Sequence, residues 1–246
     1  MNYHWNWGVL LTQVSTGEPT TYLGWLLSGL ENTVAVSLAA WLVALVAGTA
    51  FGVLRTTGDR RLVALGSGYV AVFRNIPLIV QFFVWYLVVP ELLPTVLGNE
   101  IKSLPPTVQF FSLSVVCLGL FTGARVCEQV RSGINALPRG QRGAALALGL
   151  THAQAYRYVL LPVALRTILP PLTSEFVSVF KNSAVASTIG VLELSAQARQ
   201  LADYTAQTYE SFIAVTVAYA AINLIVLQGM RRIELRLRIP GSWGTH

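Results

Sequence analysis

Arg74, Arg125, Glu128, Glu175 and Lys181 are ionisable side chains set in or beside long apolar stretches of this sequence. At membrane depth such groups are costly and face a cavity or one another, which makes each a candidate functional residue. Arg125 carries the sharpest chemistry, because a planar guanidinium can hold a carboxylate through two parallel hydrogen bonds and so suits an anionic ligand. Two plainer readings stand beside it: a pairing with Glu128 one turn on in a helix, or a long side chain reaching back to the membrane surface. Lys181 is expected near the middle of its apolar segment. Asn182, Ser183, Ser187 and Thr188 follow it and supply hydrogen-bonding groups around an expected helix irregularity. Glu128 and Glu175 would repel an anion and are read as counter-ions for the basic groups.

Other chemistry finds few residues to work with. The only lysines are Lys102 and Lys181, and neither follows a glycine, so there is no loop to cradle a nucleotide phosphate. His4, His152 and His246 lie in termini or a loop, without the spacing of metal ligands. Gly66-Ser67-Gly68 is too short for a nucleophile elbow and reads as a helix contact. Cys117 and Cys127 are too far apart along one helix to bridge and read as core or lipid-facing packing residues. The expectation is a protein that is no enzyme and binds no metal or cofactor of its own.

The elements that must hold these residues follow from composition. A chain of 246 residues that is 54% hydrophobic and 11% charged carries more apolar surface than one soluble core of that size buries. The expected class is an all-α polytopic membrane protein with about five transmembrane helices. A crossing needs about 20 residues without charge, and 33–54 and 212–230 supply them most cleanly. A third span is expected from 108 to 124, its helix running on to about Ala136 and entered through Pro105-Pro106. The segment 76–90 alone reaches only about 22 Å, so that crossing is expected to tilt, to thin the membrane or to begin earlier, near Tyr69. The segment 165–192 contains Pro170-Pro171, Glu175 and Lys181, and both of these last spans are expected to be broken or cavity-facing.

Five spans put the chain ends on opposite sides of the bilayer. Arg55, Arg60 and Arg61, then the arginines from Arg131 to Arg166, then Arg231, Arg232, Arg236 and Arg238 all fall on one side; the other side carries only Lys102 and Arg199. The excess of basic residues marks the cytoplasmic face, so the N-terminus is expected outside and the C-terminus inside. This bias also accounts for the net charge of +6, and no nucleic-acid module accompanies it. Trp5, Trp7, Tyr22 and Trp25 suggest an interfacial aromatic anchor, and the start of the chain lacks the pattern of a cleavable signal.

One stretch remains, GAALALGLTHAQAYRYVLLP at 143–162, basic on its flanks and lying between apolar runs. Together with NWGVLL, TTYLGW, YVAVFRNIPLIVQFFVWYLVVPELLP, CLGLFTGARVCEQVRSGINALPRGQ and KNSAVASTIG it resembles, over nearly the whole chain, the permease subunits of bacterial polar amino acid ABC importers, and within them the glutamate/aspartate permeases. The family's coupling loop is written E-A-A, three residues, G, nine residues, I, one residue, L-P. Ala144, Ala145, Gly149, Leu161 and Pro162 fall on matching positions, while Gly143 replaces the glutamate and Val159 the isoleucine. Small residues let a helix lie close in a partner's groove, and Gly149 and Pro162 are expected to shape the turns on either side.

The resemblance implies a type I ABC importer permease fold at the bacterial inner membrane. It implies a periplasmic N-terminal segment at 1–21, a transmembrane domain at 22–235 with its coupling loop at 137–163, and a cytoplasmic tail at 236–246. Implied partners are two ABC ATPase subunits that consume ATP, a second permease subunit (a related chain or another copy) and a periplasmic amino acid-binding protein. The implied cargo is glutamate or aspartate, with amides or other polar amino acids as the alternative. A secondary transporter fits less well, since no inverted repeat is evident. Arg125, Arg74, Lys181, Asn182 and Ser183 are the candidate substrate contacts. Arg125 lies in wording particular to the acidic permeases, whereas Arg74 and Lys181 lie in wording shared across the wider family.

Overall fold

A computed structural model of the chain describes residues 3–237, apart from the side chains of Arg139 and Leu237. Arg238, His246 and the rest of the expected tail beyond 237 lie outside the described residues, as do Met1 and Asn2. The described residues form α1 (Tyr22–Leu54), α2 (Arg60–Asn75), α3 (Leu78–Leu92), α4 (Thr95–Ser103), α5 (Pro106–Asn135), α6 (Arg139–Ala147), α7 (His152–Ile189), α8 (Leu194–Thr205) and α9 (Thr208–Leu237). Among them, α1, α5, α7 and α9 are long and apolar enough to cross a membrane, and α2 with α3 makes a broken fifth. The all-helical, polytopic class expected from composition is the one observed.

The helix limits differ from the apolar counts for local reasons. α1 begins at Tyr22, well before 33, because Glu31 stays exposed on its surface and interrupts the hydrophobic run without interrupting the backbone ladder. Its 33 residues rise about 50 Å, more than the hydrocarbon needs. The crossing at 76–90 is broken, as expected of it: α2 does not run straight on into α3. Ile76 (φ −97°, ψ 130°) and Pro77 (φ −55°, ψ 138°) are extended, as the ring of a proline demands of the residue before it.

α7 departs most from expectation. It passes through Pro162, Pro170 and Pro171 as one helix, with a π turn at Ala155–Leu160 and a closing 3-10 turn at Ser183–Ile189. The π turn lies just before Pro162, whose ring would crowd the carbonyl four residues back in a regular helix. Pro162 therefore sits within a helix and shapes no turn. Threonine hydroxyls near the proline pair bond back along the helix, Thr167 to the Val163 carbonyl and Thr173 to that of Leu169, each at 3.1 Å. Because α7 starts at His152, Lys181 falls near its far end and not at its middle.

Two compact units divide the chain, each assembled from three stretches. The first comprises Met1–Ala40, Pro77–Gly119 and Ser178–Leu224. Its hub is Glu193, fully buried, which caps α8 by accepting from the amides of Ser195 (3.0 Å) and Ala196 (2.8 Å) and accepts a further hydrogen bond from the Tyr219 hydroxyl. The amide of Leu194 donates to the Thr33 hydroxyl at 3.1 Å, which fastens α8 to α1. Tyr22 and Trp25 belong to this core, 3% and 8% exposed, and are not interfacial anchors. Polar neighbours make that burial tolerable: the Tyr22 hydroxyl lies 2.9 Å from that of Ser15, and the Trp25 indole donates to Glu18 at 3.1 Å. Trp5 and Trp7 are exposed and stacked, their ring centroids 5.9 Å apart.

The second unit comprises Trp41–Ile76, Leu120–Val177 and Ile225–His246. Here α1 lies hard against α5. A Cβ placed on Gly48 would come within 2.5 Å of Val126, and one on Gly52 within 2.7 Å of Val130. Glycines four apart line one face of a helix and allow the backbones to approach, as in membrane helix pairs generally. Gly133 of α5 does the same against Ile168 of α7, at 2.6 Å. Gly66 meets Arg55 and the Phe51 carbonyl in this way, so Gly66-Ser67-Gly68 includes the helix contact expected of it. Cys127 in this unit and Cys117 in the first are buried free thiols.

Candidate functional site

A cavity of about 370 Å³ opens in the second unit, lined by Arg74, Phe121, Arg125, Glu128, Gln129 and Glu175. α5 supplies most of this lining. Phe121, Arg125, Glu128 and Gln129 recur at helical spacing and so share one face, while α2 brings Arg74 and α7 brings Glu175. Four of the five ionisable residues singled out by sequence thus meet in one place. Lys181 does not join them in the lining.

The two carboxylates differ in how firmly they are held. Glu128 is bound by Arg55, and by Arg131 at 3.1 and 3.2 Å; Arg74 stands off at 3.9 Å. Among the described residues the Glu175 carboxylate has one ionic contact, to the Nη1 of Arg125 at 3.5 Å. The pairing of Arg125 with Glu128 contemplated from sequence does not form. Glu128 is engaged by Arg55 of α1 and by Arg131 on its own helix, and Arg125 turns to α7 instead. Its guanidinium also lies 4.9 Å over the Phe121 ring.

Arg55, Arg74, Arg125 and Arg131 against Glu128 and Glu175 leave the cluster with an excess of two positive charges. Arg125 is 41% and Arg74 52% exposed, so both keep donors free for an anion. A pair as open as Arg125 with Glu175 contributes about 0–1 kcal/mol and is readily exchanged. Arg55 and Arg131 went unnoticed as site residues, because sequence counted them only as markers of the cytoplasmic face. Arg131, three residues after Glu128, was the available signal.

The remaining candidates lie in the first unit. Lys181 is exposed and, among the described residues, makes no ion pair. The irregularity expected after it is the 3-10 turn, ended by Gly190 at φ 108° with the Phe110 ring packed where a Cβ would stand. The hydroxyls of Ser183, Ser187 and Thr188 donate to carbonyls three residues back, at 2.7–2.8 Å, so these groups satisfy the turn itself. The Asn182 side chain makes no capping bond there.

The segment at 137–163 forms a compact hairpin. α6 ends on Gly149, whose φ of 83° is left-handed. The Gly149 amide bonds the Leu146 carbonyl at 3.0 Å and the Leu150 amide that of Ala145 at 3.2 Å, the paired bonds of a Schellman ending. Thr151 then caps the next turn through a reciprocal box with Gln154. Ala145 is buried under the hairpin, Gly143 and Ala144 face outward, and Leu148, which sequence did not single out, is 83% exposed. Leu161 and Pro162 continue into α7.

Residues 44–239 match the family described as the binding-protein-dependent transport system inner membrane component. The chain belongs to this family. The permease is 56% identical over 245 residues to the glutamate/aspartate import permease protein GltJ of Escherichia coli strain K12, with 99% of both chains covered. It is 30% identical over 211 residues to the probable glutamine ABC transporter permease protein GlnM of Bacillus subtilis strain 168, covering 86% of the permease and 92% of GlnM. In structure it resembles a chain from the crystal structure of an amino acid ABC transporter with histidines, with a TM-score of 0.71, 30% identity, and 87% and 95% of the two chains covered. A chain of the inward facing MetNI methionine ABC transporter, 22% identical with a TM-score of 0.71 over 88% of the permease and 98% of that chain, shares its fold. The permease is therefore a multi-pass inner-membrane protein with the type I importer fold.

Proposed function

We propose that this permease carries glutamate or aspartate inward, with Arg125 receiving a substrate carboxylate in the α5 cavity and Arg74 the second cation near it. The observation that carries this reading is a half-exposed guanidinium held by a single loose carboxylate contact inside a cavity whose two lining glutamates face four arginines, Arg74 and Arg125 in the lining and Arg55 and Arg131 behind Glu128. Such a site suits an acidic solute better than a neutral amide. The full-length likeness to GltJ supports the same cargo, and the more distant likeness to GlnM keeps amides as the competing one. Lys181 and Asn182 are kept as candidate contacts in the first unit; Ser183, fully buried and donating its hydroxyl to the Phe180 carbonyl, is not.

The permease works in this reading with two ABC ATPase subunits, which consume the ATP, a second permease subunit and a periplasmic binding protein. The chain itself performs no catalysis and holds no metal or cofactor. Its N-terminal segment at 1–21 faces the periplasm and its tail the cytoplasm, which sets the hairpin at 137–163 beneath the membrane. The outward Gly143–Ala144 surface and exposed Leu148 are what the hairpin offers an ATPase groove.

The decisive experiment is uptake of labelled glutamate, aspartate and glutamine by proteoliposomes holding the assembled importer. Arg125→Ala is expected to abolish uptake of both acidic amino acids while basal ATP hydrolysis persists. Unchanged uptake removes Arg125 from the site, and glutamine transported in preference to glutamate by the parent overturns the cargo.

A further inference from the structure

Sequence reasoning gave both cavity carboxylates one task, neutralising arginines, yet the geometry separates them. Glu128 is saturated by Arg55 and Arg131 on two of its sides. Glu175, 18% exposed, has for its carboxylate, among the described residues, one 3.5 Å contact to Arg125, and the guanidinium it touches is 41% exposed and retains free donors. A sheltered carboxylate so lightly held is available to a second cation. The cluster has no unengaged cation to supply, as each of its arginines already faces a carboxylate.

An amino acid brings one. Its ammonium and its α-carboxylate share a carbon, so the groups that receive them must lie side by side, as Arg125 and Glu175 do. Resting on the acidic amino acid reading above, we infer that Glu175 is a specificity-determining residue that reads the substrate ammonium. The incoming zwitterion opens the Arg125–Glu175 pair and takes both ends, its carboxylate on the guanidinium and its ammonium on Glu175. One loose ion pair becomes two, and the second carboxylate of an acidic substrate is left to Arg74 in the same lining. A dicarboxylate without an amine has nothing to offer Glu175, and to reach Arg125 it must leave that carboxylate unpaired.

The test is equilibrium binding of labelled glutamate to the purified ATPase–permease complex in nanodiscs, without the external binding protein, competed by unlabelled glutamate, glutarate and N-acetylglutamate. In the parent, glutarate and N-acetylglutamate are expected to compete about tenfold or more weakly than glutamate, the scale of a lost charge-assisted hydrogen bond. In Glu175→Gln the preference for glutamate over glutarate should collapse toward parity, and in Glu175→Asp it should partly return. A preference that survives intact in Glu175→Gln overturns the assignment, as does equal competition by all three ligands in the parent, an arm that needs no variant to fold. If Arg125→Ala binds glutamate normally, it is the cargo site that has failed; if Arg125→Ala abolishes binding while Glu175→Gln keeps the preference, the ammonium role alone has failed.

Discussion

The hydroxyl of Tyr156 donates to the backbone carbonyl of Thr56 at 2.8 Å and lies 3.1 Å from the Thr56 hydroxyl. Tyr156 sits in the π turn that opens α7, and Thr56 just past the end of α1, so this contact pins the base of the hairpin to a neighbouring span. Arg142 of α6 lies over the same ring, 5.8 Å from its centre. Tyr156→Phe deletes a bond of about 1 kcal/mol and leaves the packing in place. We expect the complex to assemble while uptake per ATP hydrolysed falls severalfold, measured in proteoliposomes; an unaltered ratio would show that the pin carries no motion.

Gly149 gives a cleaner test of backbone conformation. Apart from its own chain neighbours, no atom of the described residues lies within 4 Å of where its Cβ would stand, and its φ is 83°, so the main penalty for a side chain comes from the left-handed geometry. That penalty is about 1–2 kcal/mol for most residues and less for asparagine. Gly149→Asn should therefore retain ATPase co-purification, and Gly149→Val should lose much of it. Equal behaviour of the two would separate the hairpin's shape from its docking.

Packing of α1 on α5 rests on absent side chains. Gly48→Leu drives carbons into Val126 and the Gly123 carbonyl, the latter 2.7 Å from the Cβ position. Overpacking costs about 1–3 kcal/mol where the backbone can shift, and here two close-packed helices leave little room. Loss of monodisperse protein in detergent is expected for Gly48→Leu and not for Leu38→Ala, whose side chain is exposed.

Glu193 anchors the first unit with its acceptors. Glu193→Ala strips Tyr219 and the first amides of α8 of their partner, at about 1–3 kcal/mol for each group left buried and unsatisfied. Glu193→Gln keeps one acceptor and should unfold between parent and alanine variant in a thermal melt. An alanine variant as stable as the parent would mean that water replaces the carboxylate.

The spans and the cavity were unequally legible. Apolar run lengths found α1, α5 and α9 because a bilayer imposes length directly, and Arg125, Glu128 and Glu175 stood out because charge is rare at that depth. The partners of those charges were not readable: Arg125 chooses Glu175, fifty residues away, over Glu128 on its own helix, a choice made by tertiary packing. Prolines were unequal guides. Pro77 breaks its span, as expected of that segment, whereas Pro170 and Pro171 leave α7 helical, because each proline's effect depends on what surrounds the freed carbonyls. Tyr22 and Trp25 looked like surface aromatics only because Ser15 and Glu18, which satisfy their polar ends, lie in a loop whose fold no periodicity announces.

The adjacent prolines of α7 carry a mechanical corollary. Neither can donate, so two neighbouring rungs of that helix were never built, and flexing there has two fewer backbone bonds to strain. The soft joint falls between the hairpin, where α7 starts, and Glu175, one turn beyond the joint. In the function proposed above, a push on the hairpin end of this rod is spent as a swing of the carboxylate that pairs with Arg125.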